Sequence, residues 1–359
     1  MRFVLLNPGP VSLSPKVRKA AVSQDLCHRE PEFFELQDRV RQGLLDVYDC
    51  PPEHWSAVLL GGSGTTAMEA MLASLVPRDA RLLVIENGVY GERLSRIAAI
   101  HGIEFESVEH DWTEAVDFDR VAAALSEGSF THLAAVHHET TTGRLNDARR
   151  LAELAEQHGV ELLLDAVSSF GAEDIPFESP ALTACAATAN KCLHGIPGLC
   201  FVVCRRSSLK GSAEPPRSLY LHLPLWAGKQ DQQTTPFTPA VNGILALEAA
   251  LAELSDQGGW AGRRKRYLDL GGQVRRELEH HGVEPLLEAG DSSCVLTAYR
   301  IPAGKTYEQI HQGLKRRGFV IYAGQGGLAR ELFRISTMGD ISRYDSERLL
   351  AALAAVFST

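Results

Sequence analysis

Between residues 57 and 205 the chain alternates short apolar runs with amphipathic stretches. Runs at 57–60, 81–85, 131–137, 161–165 and 199–204 are β-like and unbroken by polar alternation, the pattern of strands covered on both faces. Residues 65–76, 91–101 and 148–158 carry apolar positions at helical spacing. Strand and helix in regular alternation predict a mainly parallel sheet with helices on both sides. Beyond Pro236 the texture changes. A helical segment over 240–254 leads through Gly258-Gly259 and the basic run Arg263–Arg266 into a second helix ending near 281. Strand patterns at 293–300, 319–322 and 333–336, with helical ones at 307–317 and 342–357, predict a smaller α+β unit. The expected division is a large domain over 1–250 and a small one over 251–359.

The chain has 359 residues, enough for two buried cores, and its 45% hydrophobic and 23% charged content is that of an ordinary globular protein. A net charge of −9 argues against nucleic acid as a partner, because neutralising phosphates needs a basic surface. The run 263–266 is basic but lies in a helical pattern, and it reads as a solvated helix face. Residues 3–6 are too short an apolar run for a signal peptide, and no stretch is long enough to span a bilayer. The seven cysteines include no C-x-x-C pair, so they read as reduced, mostly buried thiols of a cytoplasmic protein. Cys192 has no evident base beside it and joins that group.

Polar residues gather where these strands end, which is where an open parallel sheet binds its ligands. In "LLGGSGTTAMEA" a strand, a glycine turn and a helix start come in succession, and Ser63, Gly64 and Thr65 either hold a phosphate on unpaired N–H groups or form a plain capped turn. The stretch is neither a P-loop nor a dinucleotide fingerprint. Tyr90 in "ENGVYGER" can stack on a planar ligand or sit in the core, and Thr140 in "HHETTTG" can donate to a phenolate or shape a turn. Asp165 closes an apolar strand, where a carboxylate is costly unless paired. Lys191 flanks another apolar strand; a buried lysine loses its charge and becomes a nucleophile toward carbonyls. Singly, each has an ordinary explanation. In combination they suit pyridoxal phosphate, which needs an amine, an anion for its ring nitrogen, a stacking ring and a phosphate pocket.

From "LNPGP" through "GGSGTTAMEAML", "HHETTTGRLN", "LLLDAVSSFG", "ATANKCLHGIPG" and "FRISTMGDI" the chain resembles the class V aminotransferases of the pyridoxal-phosphate fold type I. The resemblance implies a large domain with a mainly parallel seven-stranded sheet sandwiched by helices, a smaller α+β C-terminal domain, and an N-terminal segment 1–15 reaching the active site or the partner subunit. It further implies that Lys191 carries the cofactor and moves the proton, Asp165 pairs with the pyridine nitrogen, Tyr90 stacks on the ring and Thr140 lies near the ring oxygen. Ser63, Gly64, Thr65 and Thr188 would hold the phosphate, joined across a homodimer interface by Thr234, and the substrates would be an amino donor and a 2-oxo acid. Arg334 would bind the substrate anion. "SSFG" and "ANKCLHGIPG" favour the aminoethylphosphonate branch. Ala323 and Gln325 depart from that branch, and "HREPEF" at 28–33 resembles the alanine–glyoxylate and serine–glyoxylate enzymes. Arg29 in that segment either contacts substrate or serves as a cap or interface residue. A lyase or desulfurase, with Cys294 as its only C-terminal cysteine, and a non-catalytic binding protein on the same fold are the remaining alternatives.

Overall fold

In the computed structural model, which describes residues 3–210 and 215–358, seven strands form one central sheet. Their order is Trp55–Gly61, Leu199–Arg205, Leu182–Thr188, Glu161–Asp165, His132–Val136, Arg81–Glu86 and Glu104–Glu109. All point the same way except Leu199–Arg205, which is antiparallel to both neighbours. The apolar runs are explained by layers on both faces. Leu83, Leu133, Leu162 and Leu164 pack toward the helices Pro31–Asp46, Ala148–Gln157 and Val241–Asp256, while Leu82, Val84, Ala134 and Leu163 pack toward Gly64–Leu75, Val89–Ile100 and Leu223–Asp231. Successive side chains alternate between faces, so one continuous run serves two cores. This is the mainly parallel α/β architecture of fold type I.

Two of the seven strands lack a run of large apolar residues. Glu104–Glu109 lies at the sheet edge, and its Glu104, Glu106 and Glu109 are exposed, a charged edge that discourages pairing with another chain. Leu182–Thr188 is central and wholly buried, yet after its first leucine it is built from alanines, threonines and a cysteine. The stretch 319–322 is split. Phe319–Val320 pairs in parallel with Val4–Leu5, whereas Tyr322–Ala323 joins the antiparallel sheet of Leu332–Ser336 and Leu296–Arg300. Val4 and Leu6 therefore sit in the C-terminal core with Val274, Phe319, Phe333 and Leu353.

The basic run departs from the expected solvated face. Arg263 is 1% exposed; it donates to the Cys192 carbonyl and, at 3.0 Å, to Gln257 Oε1. Arg264 pairs with the buried Glu173 at 3.0 Å, leaving Lys265 and Arg266 exposed. The helix Gly259–His280 turns 263, 267 and 270 onto one buried stripe, and oxygen acceptors at its end make a buried guanidinium tolerable. Six cysteines are buried and Cys27 is exposed; burial pushes the Cys192 thiol up to about 12, so it is no nucleophile. Among the described residues no helix is long and apolar enough to cross a membrane.

Candidate active site

Five strands of like direction end on one edge of the sheet, and each hands its chain to a polar residue there. Trp55–Gly61 leads to Ser63, Arg81–Glu86 to Tyr90, His132–Val136 to Thr140, Glu161–Asp165 to its own terminal carboxylate, and Leu182–Thr188 to Lys191.

Ser63 is the N-cap of the helix Gly64–Leu75, and its N–H donates to Thr66 Oγ1 at 3.2 Å. A Cβ on Gly64 would lie 2.5 Å from Val167 Cγ1, so glycine is what lets this helix end approach the turn after Asp165. Tyr90 is half-buried in the first turn of Val89–Ile100, and its N–H donates to Glu139 Oε2 at 3.0 Å. Thr140 is buried with no partner for Oγ1 among the described residues, while its carbonyl accepts from Arg334 Nη1 at 2.7 Å. Asp165 is 3% exposed; Oδ1 accepts from the Val167 N–H at 2.9 Å, and Oδ2 has no partner among the described residues. Lys191 Nζ donates to the Pro8 carbonyl.

Burial dominates the electrostatics. It lifts the Asp165 carboxyl from 3.8 to about 7, against the Val167 hydrogen bond and the nearby cations Arg93 and Lys191. It lowers the Lys191 ammonium from 10.5 to about 8; Cys192 and Asp165 oppose that shift, and Arg334 and Arg93 add to it. Arg334 is 5% exposed on Leu332–Ser336. Its Nε donates to the Ala323 carbonyl at 2.8 Å and its Nη1 to Gln325 Oε1 at 3.2 Å, but no carboxylate pairs with it among the described residues. Gln325 therefore orients Arg334.

The other candidates stand apart. The Thr188 hydroxyl is engaged within 3.0 Å by Asn190 Oδ1 and the Leu199 carbonyl. Thr234 packs against Gln37, whose Nε2 donates to its carbonyl at 3.4 Å, and Arg29 is exposed in the turn before Pro31–Asp46. Within one chain neither touches the group around Lys191. Three residues that the sequence pattern does not single out do belong there: Glu139, Arg93 and Gly9. Glu139 is legible only as part of a threonine-rich strand end, and Arg93 only as a polar helix position. Gly9 has φ +107°, and a Cβ there would meet Lys191 Cδ at 2.7 Å. Gly9→Ala is expected to cost about 1–3 kcal/mol and to push the lysine aside. Thermal unfolding should show a drop of a few degrees together with slower cofactor uptake; an unchanged midpoint and uptake would mean that the segment yields freely.

The Aminotransferase class-V family model matches residues 18–321. The 2-aminoethylphosphonate–pyruvate transaminase of Lactiplantibacillus plantarum is 34% identical over 98% of this chain and 97% of its own. That of Syntrophobacter fumaroxidans is 36% identical over 98% and 95%. Among solved structures, an aspartate aminotransferase of subgroup IV from Thermus thermophilus superposes with a TM-score of 0.90 at 29% identity, covering 99% of both chains. An alanine–glyoxylate aminotransferase from Nostoc sp. gives 0.92 at 25% identity over 99% of this chain and 95% of that one. Fold, strand-end lysine and aspartate, and full-length likeness agree: the chain belongs to the class V aminotransferases, pyridoxal-phosphate-dependent enzymes of fold type I.

Proposed function

We propose that the chain moves the amino group of 2-aminoethylphosphonate to pyruvate, releasing phosphonoacetaldehyde and L-alanine, as a cytoplasmic homodimer with active sites shared across the interface. The observation that carries this function is Arg334, a buried guanidinium beside the lysine whose hydrogen bonds all go to uncharged oxygens. A buried cation without an anion is costly, so the site is built for an anionic group that arrives with the substrate. The names of the full-length curated relatives support a phosphonate on the donor. The buried, unpaired cysteines support a reducing compartment.

The residues present fit the cofactor. Thr140 Oγ1 is a buried polar atom with no partner among the described residues, Asp165 gives only Oδ1 to the protein, at the Val167 N–H, and the helix end at Ser63 offers unpaired N–H groups. Ser63, Gly64 and Thr65 would hold the phosphate with Thr234 of the partner subunit, and Thr188 would join them only by giving up its hydrogen bond to Asn190 or Leu199. Tyr90 would lie against the ring and Thr140 near its oxygen. When bound, pyridoxal phosphate supplies a carbonyl carbon that condenses with amines and a ring that takes up the electron pair left after proton removal. Asp165 supplies the anion that keeps the ring nitrogen protonated. Lys191, displaced by the substrate amine, takes the proton from the carbon bearing nitrogen. Burial lowers its pKa from 10.5 to about 8 and so favours the neutral amine that a base needs. Gln325 is uncharged and brings no second cation to the phosphonate, a part that Arg29 would take.

The test adds 2-aminoethylphosphonate and pyruvate to the purified holoenzyme and measures alanine and phosphonoacetaldehyde. The two should appear in equal amounts. No alanine, with turnover instead of L-alanine or L-serine plus glyoxylate, would place the enzyme in the glyoxylate branch suggested by "HREPEF".

A further inference from the structure

Arg93 projects from the helix Val89–Ile100 and makes two contacts in the site that the proposed transamination leaves without a role. Its Nη1 donates to Thr65 Oγ1 at 3.1 Å, and its guanidinium carbon lies 4.5 Å from the centre of the Tyr90 ring. No carboxylate pairs with it among the described residues. Its neighbour on the helix, Glu92, instead accepts from Trp112 Nε1 at 2.8 Å. The charge of Arg93 reaches Asp165, where it favours the carboxylate, and Lys191, where it disfavours the ammonium. A half-buried cation tied to a neutral hydroxyl and an aromatic face is no ordinary solvated arginine.

The Thr65 hydroxyl sets the role of this cation. Thr65 Oγ1 has one hydrogen and two lone pairs. Occupying a lone pair with the Arg93 N–H leaves the Thr65 hydrogen free to be given away, and a cationic donor behind it makes that hydrogen a better donor. Thr65 lies in the first turn of the helix Gly64–Leu75, whose N-terminal N–H groups already favour an anion. On its other contact, the guanidinium lies over the Tyr90 ring, a cation–π attraction that restrains the plane of the ring. We propose that Arg93 is a positioning residue for the cofactor: it turns the Thr65 hydroxyl toward the phosphate and braces Tyr90 as a flat wall for the pyridine ring. This role rests on the pyridoxal phosphate assignment and extends it to a residue outside the strand-end set.

The test uses apoenzyme titrated with pyridoxal phosphate and, separately, with pyridoxal, followed by tryptophan fluorescence. Pyridoxal lacks the phosphate but still meets Lys191, Asp165 and Tyr90. Arg93→Met is expected to weaken pyridoxal phosphate about 10- to 100-fold and pyridoxal by no more than the share carried through Tyr90, about 2- to 5-fold. Thr65→Val should lose pyridoxal phosphate alone, and Arg93→Met with Thr65→Val should exceed the weaker single variant by no more than the Tyr90 share, since on the phosphate both act through one hydroxyl. Arg93→Lys, which keeps the charge, should recover part of the loss. Equal losses for the two ligands, additive losses in the double variant, or unchanged affinity would overturn the proposal. Failure of the unaltered apoenzyme to bind pyridoxal phosphate would remove the cofactor assignment as well, so the two failures are distinct.

Discussion

Lys191→Ala is expected to lose at least about 10⁴-fold in kcat/KM while still taking up the cofactor, which would then dialyse away. Lys191 is the one amine in the strand-end group, and Gly9 and Pro8 lie against its aliphatic stem and Nζ. Removing it removes both the covalent anchor and the base. The absorbance of the lysine-bound cofactor should vanish, and small primary amines such as methylamine should restore part of the turnover because they can enter the space and accept the proton. A purely structural lysine would give neither the spectral change nor the rescue. The ammonium also bears on stability. Its pKa falls from 10.5 to about 8, so between those values the folded chain binds fewer protons than the unfolded one, and stability rises with pH across that window. Below pH 8 the burial penalty is fully present. The alanine variant escapes it, and its apoprotein should melt no lower at pH 7 than the parent. Retained turnover in Lys191→Ala would end the proposed chemistry.

How far a sequence can be read depends on which forces leave a local trace. Strands such as Glu161–Asp165, buried on both faces, announce themselves as unbroken apolar runs, and the strand-end rule then picks out Ser63, Tyr90, Asp165 and Lys191 as neighbours. Leu182–Thr188 is just as buried, but its alanines suit a crowded sheet centre next to the helix Gly64–Leu75 and have little hydrophobic contrast. Val4–Leu5 is two residues long and exists only because Phe319–Val320 lies beside it. The charge of Arg263 points to solvent, whereas its burial comes from helical phase relative to Tyr267 and Leu270. Arg93 and Glu139 are invisible for a similar reason. Their roles come from the groups opposite them, Thr65 and Tyr90 in one case and the start of the helix Val89–Ile100 in the other. Tertiary position, which no single window contains, decides all of these.

Asp165→Asn is expected to separate folding from function. The change is isosteric, and the asparagine oxygen can still accept the Val167 N–H that Asp165 Oδ1 accepts at 2.9 Å. What disappears is the negative charge, and with it the group that keeps the ring nitrogen protonated. A fall in kcat/KM of about 10³-fold is expected, larger than the loss in cofactor affinity, because the charge matters most when electron density moves onto the ring. The apoprotein should change in the opposite direction. The Asp165 pKa rises from 3.8 to about 7, so between these values the folded chain binds more protons than the unfolded one. Stability at this site therefore falls as pH climbs through that window, and above pH 7 the penalty is complete. Asparagine carries no such penalty. Its apoprotein should be more stable than the parent by on the order of 2–4 kcal/mol at pH 8, with the gain shrinking toward pH 5.5. Denaturant unfolding at the two pH values measures this, and the holoenzymes should differ less, because the cofactor supplies the missing cation. A variant that keeps its activity, or an apoprotein no more stable at pH 8 than the parent, would show that Asp165 is not the buried, uncompensated anion on which the cofactor site depends.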